Sequence, residues 1–102
     1  MEKMELTELA ELLKILGHPL RLKIISLLKE NGEMCVCELL PVLGVTQPNL
    51  SQHLSIMRLS GLLESVKVGN TIRYRLSDIE LLKDIIQIIE KHSIREVAAY
   101  EK

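Results

Sequence analysis

Between Gly44 and Leu76 the hydrophobic repeat changes period once, and that change narrows the possible folds more than any other feature of the chain. Thr46-Gln47-Pro48 follows Val45. Threonine is a good helix N-cap, and proline suits a first turn, where its missing N–H costs nothing. Leu50, Leu54 and Met57 then recur at i, i+4 and i+7, so the spacing predicts a helix over about 47–60, closed by Gly61. From 62 to 76 the repeat is two. Val66, Val68, Ile72, Tyr74 and Leu76 alternate with Lys67, Arg73 and Arg75 around Gly69-Asn70. Alternation about such a pair predicts a β-hairpin, with the three basic residues on one face and Asn70 at its tip.

The other segments read as helices. Leu6, Leu9, Leu13 and Leu16 lie at helical spacing, Leu12 and Ile15 widen the stripe, and Gly17 ends it. His18-Pro19 opens a second helix with Leu20, Ile24, Leu27 and Leu28 on its apolar side, stopped by Asn31-Gly32. A short helix is expected over about 34–42, broken at Gly44. The last, capped by Ser77 or Asp78, is expected to run to about Ala98. The fold class is therefore mainly α with a small β-hairpin: a winged helix-turn-helix, as one domain over residues 1–102. Its recognition helix would be about 47–60 and its wing about 62–76.

Apolar residues make up 47% of these 102 residues. The last helix alone carries Ile79, Leu81, Leu82, Ile85, Ile86, Ile88 and Ile89, a wider face than one core contact needs. Uncovered aliphatic surface on so short a chain predicts an oligomer. No apolar run is long enough to span a bilayer, and the glutamate-rich start lacks a signal peptide's basic head, so a cytoplasmic protein with no membrane association is expected. There is no Gly-rich phosphate loop and no Ser-His-Asp logic, and an enzyme is not expected.

The net charge is −1, yet Arg58, Lys67, Arg73 and Arg75 against Glu64 leave residues 46–76 at +3. Basic charge gathers where a nucleic-acid contact would want it. The start of a recognition helix meets base edges in the major groove. There the chain offers Thr46, Gln47, Asn49, Ser51, Gln52 and His53, whose hydroxyls, amides and ring suit bases and phosphates. His53 is equally suited to packing or capping. In the wing, Lys67, Asn70, Arg73 and Arg75 are placed to meet phosphates or the minor groove. The expected partner is double-stranded operator DNA.

Cys35 and Cys37 stand one residue apart in MCVCELL. Successive helical residues turn by about 100°, so two such side chains point to nearly opposite sides of a regular helix. They are two small core residues, a redox pair, or a soft-metal clamp for which the helix must bend.

The stretches LGHPLRLKIISLL, EMCVCELLPVLGVTQPNLSQHLSIMRLSGLLES and VGNTIRYRLS resemble the ArsR/SmtB family of metal-responsive repressors over nearly the whole chain. The run SQHLSIMRLSGLL is a specific match. The resemblance implies a homodimer joined by its first and last helices, here about 4–16 and 78–98, bound to an operator and released by a ligand. CVCEL is similar to the arsenic-sensing branch, which implies that Cys35 and Cys37 bind As(III) or Sb(III), with another thiophilic metal as the alternative inducer and no constitutive cofactor. That branch has a third thiolate where this chain has Leu40. The third ligand would then be solvent, an exogenous thiol, or a group such as His18 or His92. Asp78, Glu80 and His92 do not reproduce the carboxylate-histidine site that other members carry on the last helix.

Overall fold

The structure is a computed structural model and describes residues 3–92. Its elements are α1 (Leu6–Leu16), α2 (Pro19–Asn31), β1 (Met34–Cys35), α3 (Val36–Leu43), α4 (Gln47–Leu59), β2 (Leu63–Val68), β3 (Thr71–Leu76) and α5 (Glu80–His92). The expected continuation of the last helix to Ala98 lies outside the described residues.

The apolar positions foreseen from the repeat form the core. Ile24, Leu28, Leu50, Leu54 and Met57 are buried, joined by Ile25, Leu39, Leu62 and Leu82. All five helices and the base of the hairpin contribute to it, and α4 packs on α3 and β2. Burying each such side chain contributes roughly 1.5–3 kcal/mol toward holding these elements together. The stripes of α1 and α5 are only partly used. Leu16, Leu82 and Ile89 are buried, whereas Leu6, Leu13 and Ile88 are exposed.

Two features depart from the sequence reading. The first is a third strand. Residues 34 and 35, expected in a helix, are extended and pair antiparallel with β3, Met34 opposite Tyr74 and Cys35 opposite Arg73. The sheet order is β1-β3-β2, so the second hairpin strand is the central one. Helix α3 begins only at Val36. Cys35 is its N-cap (φ −88°, ψ 169°), and the Glu38 Oε1 accepts the Cys35 N–H at 3.0 Å.

The second is the register of the hairpin. Val68 pairs with Thr71, Lys67 with Ile72, Val66 with Arg73 and Glu64 with Arg75. Paired residues share a face, so Arg73 and Arg75 lie with Glu64 and Val66. Lys67 lies on the opposite face with Ile72 and Tyr74. The expectation that all three basic residues share a face is therefore corrected. The cause is the turn: two residues, with Gly69 at φ 64° and Asn70 without a positive φ, the pattern of a type II′ hairpin. One residue more in the turn would have moved every side chain of β3 to the other face.

Candidate nucleic-acid interface and thiol site

The turn between α3 and α4 is built by local chemistry. Gly44 takes the left-handed conformation (φ 66°, ψ 32°) and its N–H closes on the Leu40 carbonyl at 3.0 Å. Two residues later Thr46 caps α4, its Oγ1 accepting the Asn49 N–H at 3.3 Å. The Thr46 hydroxyl thus has a structural task besides any contact it makes outside the chain. With Leu50, Leu54 and Met57 turned inward, α4 presents Gln47, Asn49 and Gln52 to solvent, and Ser51 is half-buried. Ser55 and Arg58 continue the exposed side. Arg58 was read from sequence only as part of the basic charge of residues 46–76, and Ser55 was not singled out, although helical spacing from Gln52 reaches it.

His53 sits on the flank of α4 that faces α2. Its Nδ1 accepts a hydrogen bond from Arg21 Nε at 3.0 Å, and its ring meets that of His18 edge-on with centroids 4.5 Å apart. His18 Nδ1 in turn caps α2 by accepting the Leu20 N–H at 3.2 Å. The packed alternative read for His53 is thus what the fold provides. Burial first, then the charges of His18 and Arg21, push its pKa below the usual imidazole value.

The basic residues of the wing fall into two groups. Lys67 and Asn70 are exposed. Arg73 is half-buried and turned toward α3: its Nη2 donates to the Glu33 carbonyl at 2.7 Å and meets Glu38 Oε1 at 3.0 Å, while its Nε lies 3.5 Å from Glu33 Oε1. Arg75 pairs with Glu64 at 2.9 Å and with Glu33 at 3.4 Å. Hydrogen bonding to Glu64, then that carboxylate's charge, raise the Arg75 pKa further. Glu33 and Glu38 are not readable as partners from the sequence, because strand pairing brings them to β3 from far along the chain.

Cys35 is buried and Cys37 is exposed, and the two are joined as a disulfide with Cα atoms 5.2 Å apart. The expectation that helix geometry holds the pair apart is corrected. Cys35 stands in extended backbone before the helix, so its side chain escapes the 100° step and reaches Cys37 without bending α3. Among the described residues, no cluster of three His, Cys, Asp or Glu side chains could hold a metal ion. His18 is committed to the α2 cap and to His53, and His92 ends α5 on the surface. Two thiolates, once reduced, are what this chain's described residues offer a soft ion. No described helix is long and apolar enough to cross a membrane.

Comparison with known proteins gives the same architecture. The model of the arsR family of bacterial regulatory proteins matches residues 18–65. The chain is 40% identical over 91 residues to an HTH-type transcriptional regulator of Methanocaldococcus jannaschii, an alignment covering 89% of this chain and 99% of that one. It is 49% identical over 67 residues to the arsenical resistance operon repressor of Escherichia coli, covering 66% of this chain and 57% of that protein. The crystal structure of the transcriptional repressor BigR from Xylella fastidiosa superposes with a TM-score of 0.78 at 37% identity, over 88% of each chain. With its recognition helix, its wing and these relatives, the chain belongs to the ArsR family of winged helix-turn-helix, DNA-binding transcriptional regulators, which are not enzymes.

Proposed function

We propose that this chain is a homodimeric repressor that leaves its operator when As(III) or Sb(III) is bound by the reduced Cys35–Cys37 pair. The observation that carries the reading is the meeting of the two sulfurs at the junction of β1 and α3. Soft thiolates select such metalloids over hard cations. The similarity to an arsenical resistance repressor supports the same ligand class. With two protein thiolates, solvent or a small thiol completes the coordination. A second reading, thiol redox sensing, is favoured by the disulfide itself.

For DNA, Gln47, Asn49, Ser51 and Gln52 read the major groove and Thr46 orients the helix. Lys67 and Asn70 reach the backbone from the wing, while Arg73 and Arg75 brace the wing through Glu33, Glu38 and Glu64. Half-sites of a two-fold operator then lie about one helical turn, ~34–36 Å, apart. The test is fluorescence anisotropy on labelled DNA from upstream of the protein's own gene, at fixed salt, titrated with arsenite and separately with zinc and cadmium. Tight binding relieved by arsenite supports the reading. Binding that neither arsenite nor an oxidant relieves removes the sensor and leaves a constitutive DNA binder.

Two further outcomes follow from the geometry. Lys67→Ala should weaken operator binding evenly across sequences and lower the salt slope by about 1 for each protomer's lysine removed from a phosphate, measured from affinity against salt concentration. Arg73→Ala, by contrast, should change binding by loosening the wing. Leu13→Glu places a charge on the exposed apolar side of α1. It should shift sedimentation velocity from dimer toward monomer, and an unchanged dimer would remove α1 from the interface.

A further inference from the structure

We propose that His53 is a positioning residue: its neutral imidazole, held between Arg21 and His18, sets the angle of α4 on α2, and operator binding weakens when that imidazole takes up a proton. The inference rests on the reading of α4 as the DNA-contacting helix.

The geometry is a short chain of polar groups across an otherwise apolar contact. The Arg21 guanidinium makes two bonds that diverge. Its Nη1 donates to the Ile15 carbonyl in the last turn of α1 at 3.1 Å, and its Nε donates to His53 Nδ1 at 3.0 Å. One side chain of α2 thereby ties α1 to α4. His18, at the first cap of α2, closes the arrangement from the other side with its ring edge on His53. Around this chain, Leu50, Leu54 and Met57 of α4 are fully buried, so apolar packing sets how close α4 lies, and the imidazole–guanidinium bond supplies a directional hold.

An accepting Nδ1 leaves the imidazole hydrogen on Nε2. A second proton must go to Nδ1, where it faces the Arg21 Nε–H. The bond is then lost, and a positive ring stands beside a guanidinium. The titratable and charged groups acting on the ring are His18 and Arg21, both from the start of α2; α1 contributes the uncharged Ile15 carbonyl through Arg21. Burial and both neighbours lower the pKa of His53, so the neutral form holds at neutral pH. The sign follows. The hold is present above the ordinary histidine pKa and is lost as pH falls through the lowered one.

This role is separable from a direct phosphate contact, because the two predict opposite slopes. An imidazolium meeting a phosphate binds DNA more tightly as pH falls. A neutral imidazole that positions α4 binds less tightly.

The experiment is operator affinity by anisotropy from about pH 8 to about pH 5.5, the range in which histidine titrates, with far-UV circular dichroism at each pH to confirm that the protein stays folded. Wild-type affinity should fall about 5-fold or more toward the acid end, the lower bound of ordinary coupling between linked sites. His53→Asn keeps an oxygen acceptor near the position of Nδ1 but does not titrate. It should bind at neutral pH and show a flat profile. His18→Asn retains an N-cap but removes a neighbour that lowers the His53 pKa, so the loss of affinity should persist and begin at higher pH than in the wild type. His53→Ala removes the acceptor and should bind weakly at every pH. Affinity that rises on acidification, or a pH loss unchanged in His53→Asn, overturns the inference while leaving the DNA-binding reading intact. No binding by any variant at any pH overturns both.

Discussion

Cys35→Ser and Cys37→Ser should each abolish release of the operator by arsenite while leaving metalloid-free binding near the wild-type value. In the wild type, coupling of about 1–3 kcal/mol corresponds to an affinity lower by about 5–150-fold when the metalloid is bound. Anisotropy with and without arsenite measures it directly. The reduced protein is required, because a disulfide has no thiolate to offer. Oxidised protein should ignore arsenite until a reductant that carries no thiol, such as a phosphine, is added. Metal binding releases the thiol protons, so the response should weaken as pH falls. A full response in both serine variants would remove the thiol pair from the mechanism. Release by an oxidant such as diamide, reversed by reductant and lost in either variant, would move the signal from metalloid to redox chemistry at the same two atoms.

On the proposed reading, the route of that signal would differ from the one expected from sequence. A pair buried in a helix would act by distorting the helix and tilting α4. Here Cys35 is a strand residue opposite Arg73, and the carboxylate that accepts its N–H also meets the Arg73 guanidinium. A bound ligand that shifts Cys35 from this position would then act on the β1–β3 pairing and the Arg73 brace, and so on the wing. Glu38→Gln should reduce the arsenite response with both thiols intact.

Leu54→Ala should strongly destabilise the fold through α4. Leu54 is fully buried beneath the exposed polar row, with Leu50 and Met57 on either side of it along the helix. Removing its branched end leaves a cavity and costs about 2–5 kcal/mol. A domain of this size is stable by about 5–15 kcal/mol, so the loss takes a large part of the total. Urea denaturation at one fixed protein concentration checks it, with a lower midpoint at unchanged slope. Gln52→Ala, two residues away on the exposed side, should move stability by no more than about 0.5 kcal/mol and act on operator affinity instead. A small effect of Leu54→Ala would mean that α4 is not held by this core.

Much of the candidate site was legible because it depends on local rules. The buried positions of α4 follow from a 3.6-residue repeat, its start from a threonine cap and a first-turn proline, and the wing from alternation about Gly69-Asn70. Thr46 illustrates the limit. Its capping role was readable, whereas any contact its hydroxyl makes outside the chain was not, because the cap already engages the Asn49 N–H. His53 could be read two ways, because a histidine's role depends on its neighbour, and Arg21 lies 32 positions away.

The helices, the tight turn, the hairpin and the polar row of α4 are written in the order of residues alone, since each is encoded in spacings shorter than about eight residues. Chain closure settled what remains. Strand β1 is two residues long and has no period to read; it exists because β3 offers an open edge. That pairing takes Cys35 out of the helix and lets it meet Cys37. The two-residue turn decides which face of the wing carries each basic side chain, and a period-two pattern cannot count the turn for itself. Arg73, Arg75 and His53 acquire their partners only when distant segments close. Their charges are visible in the sequence, but a hydrogen bond of about 3 Å is a property of the assembled chain.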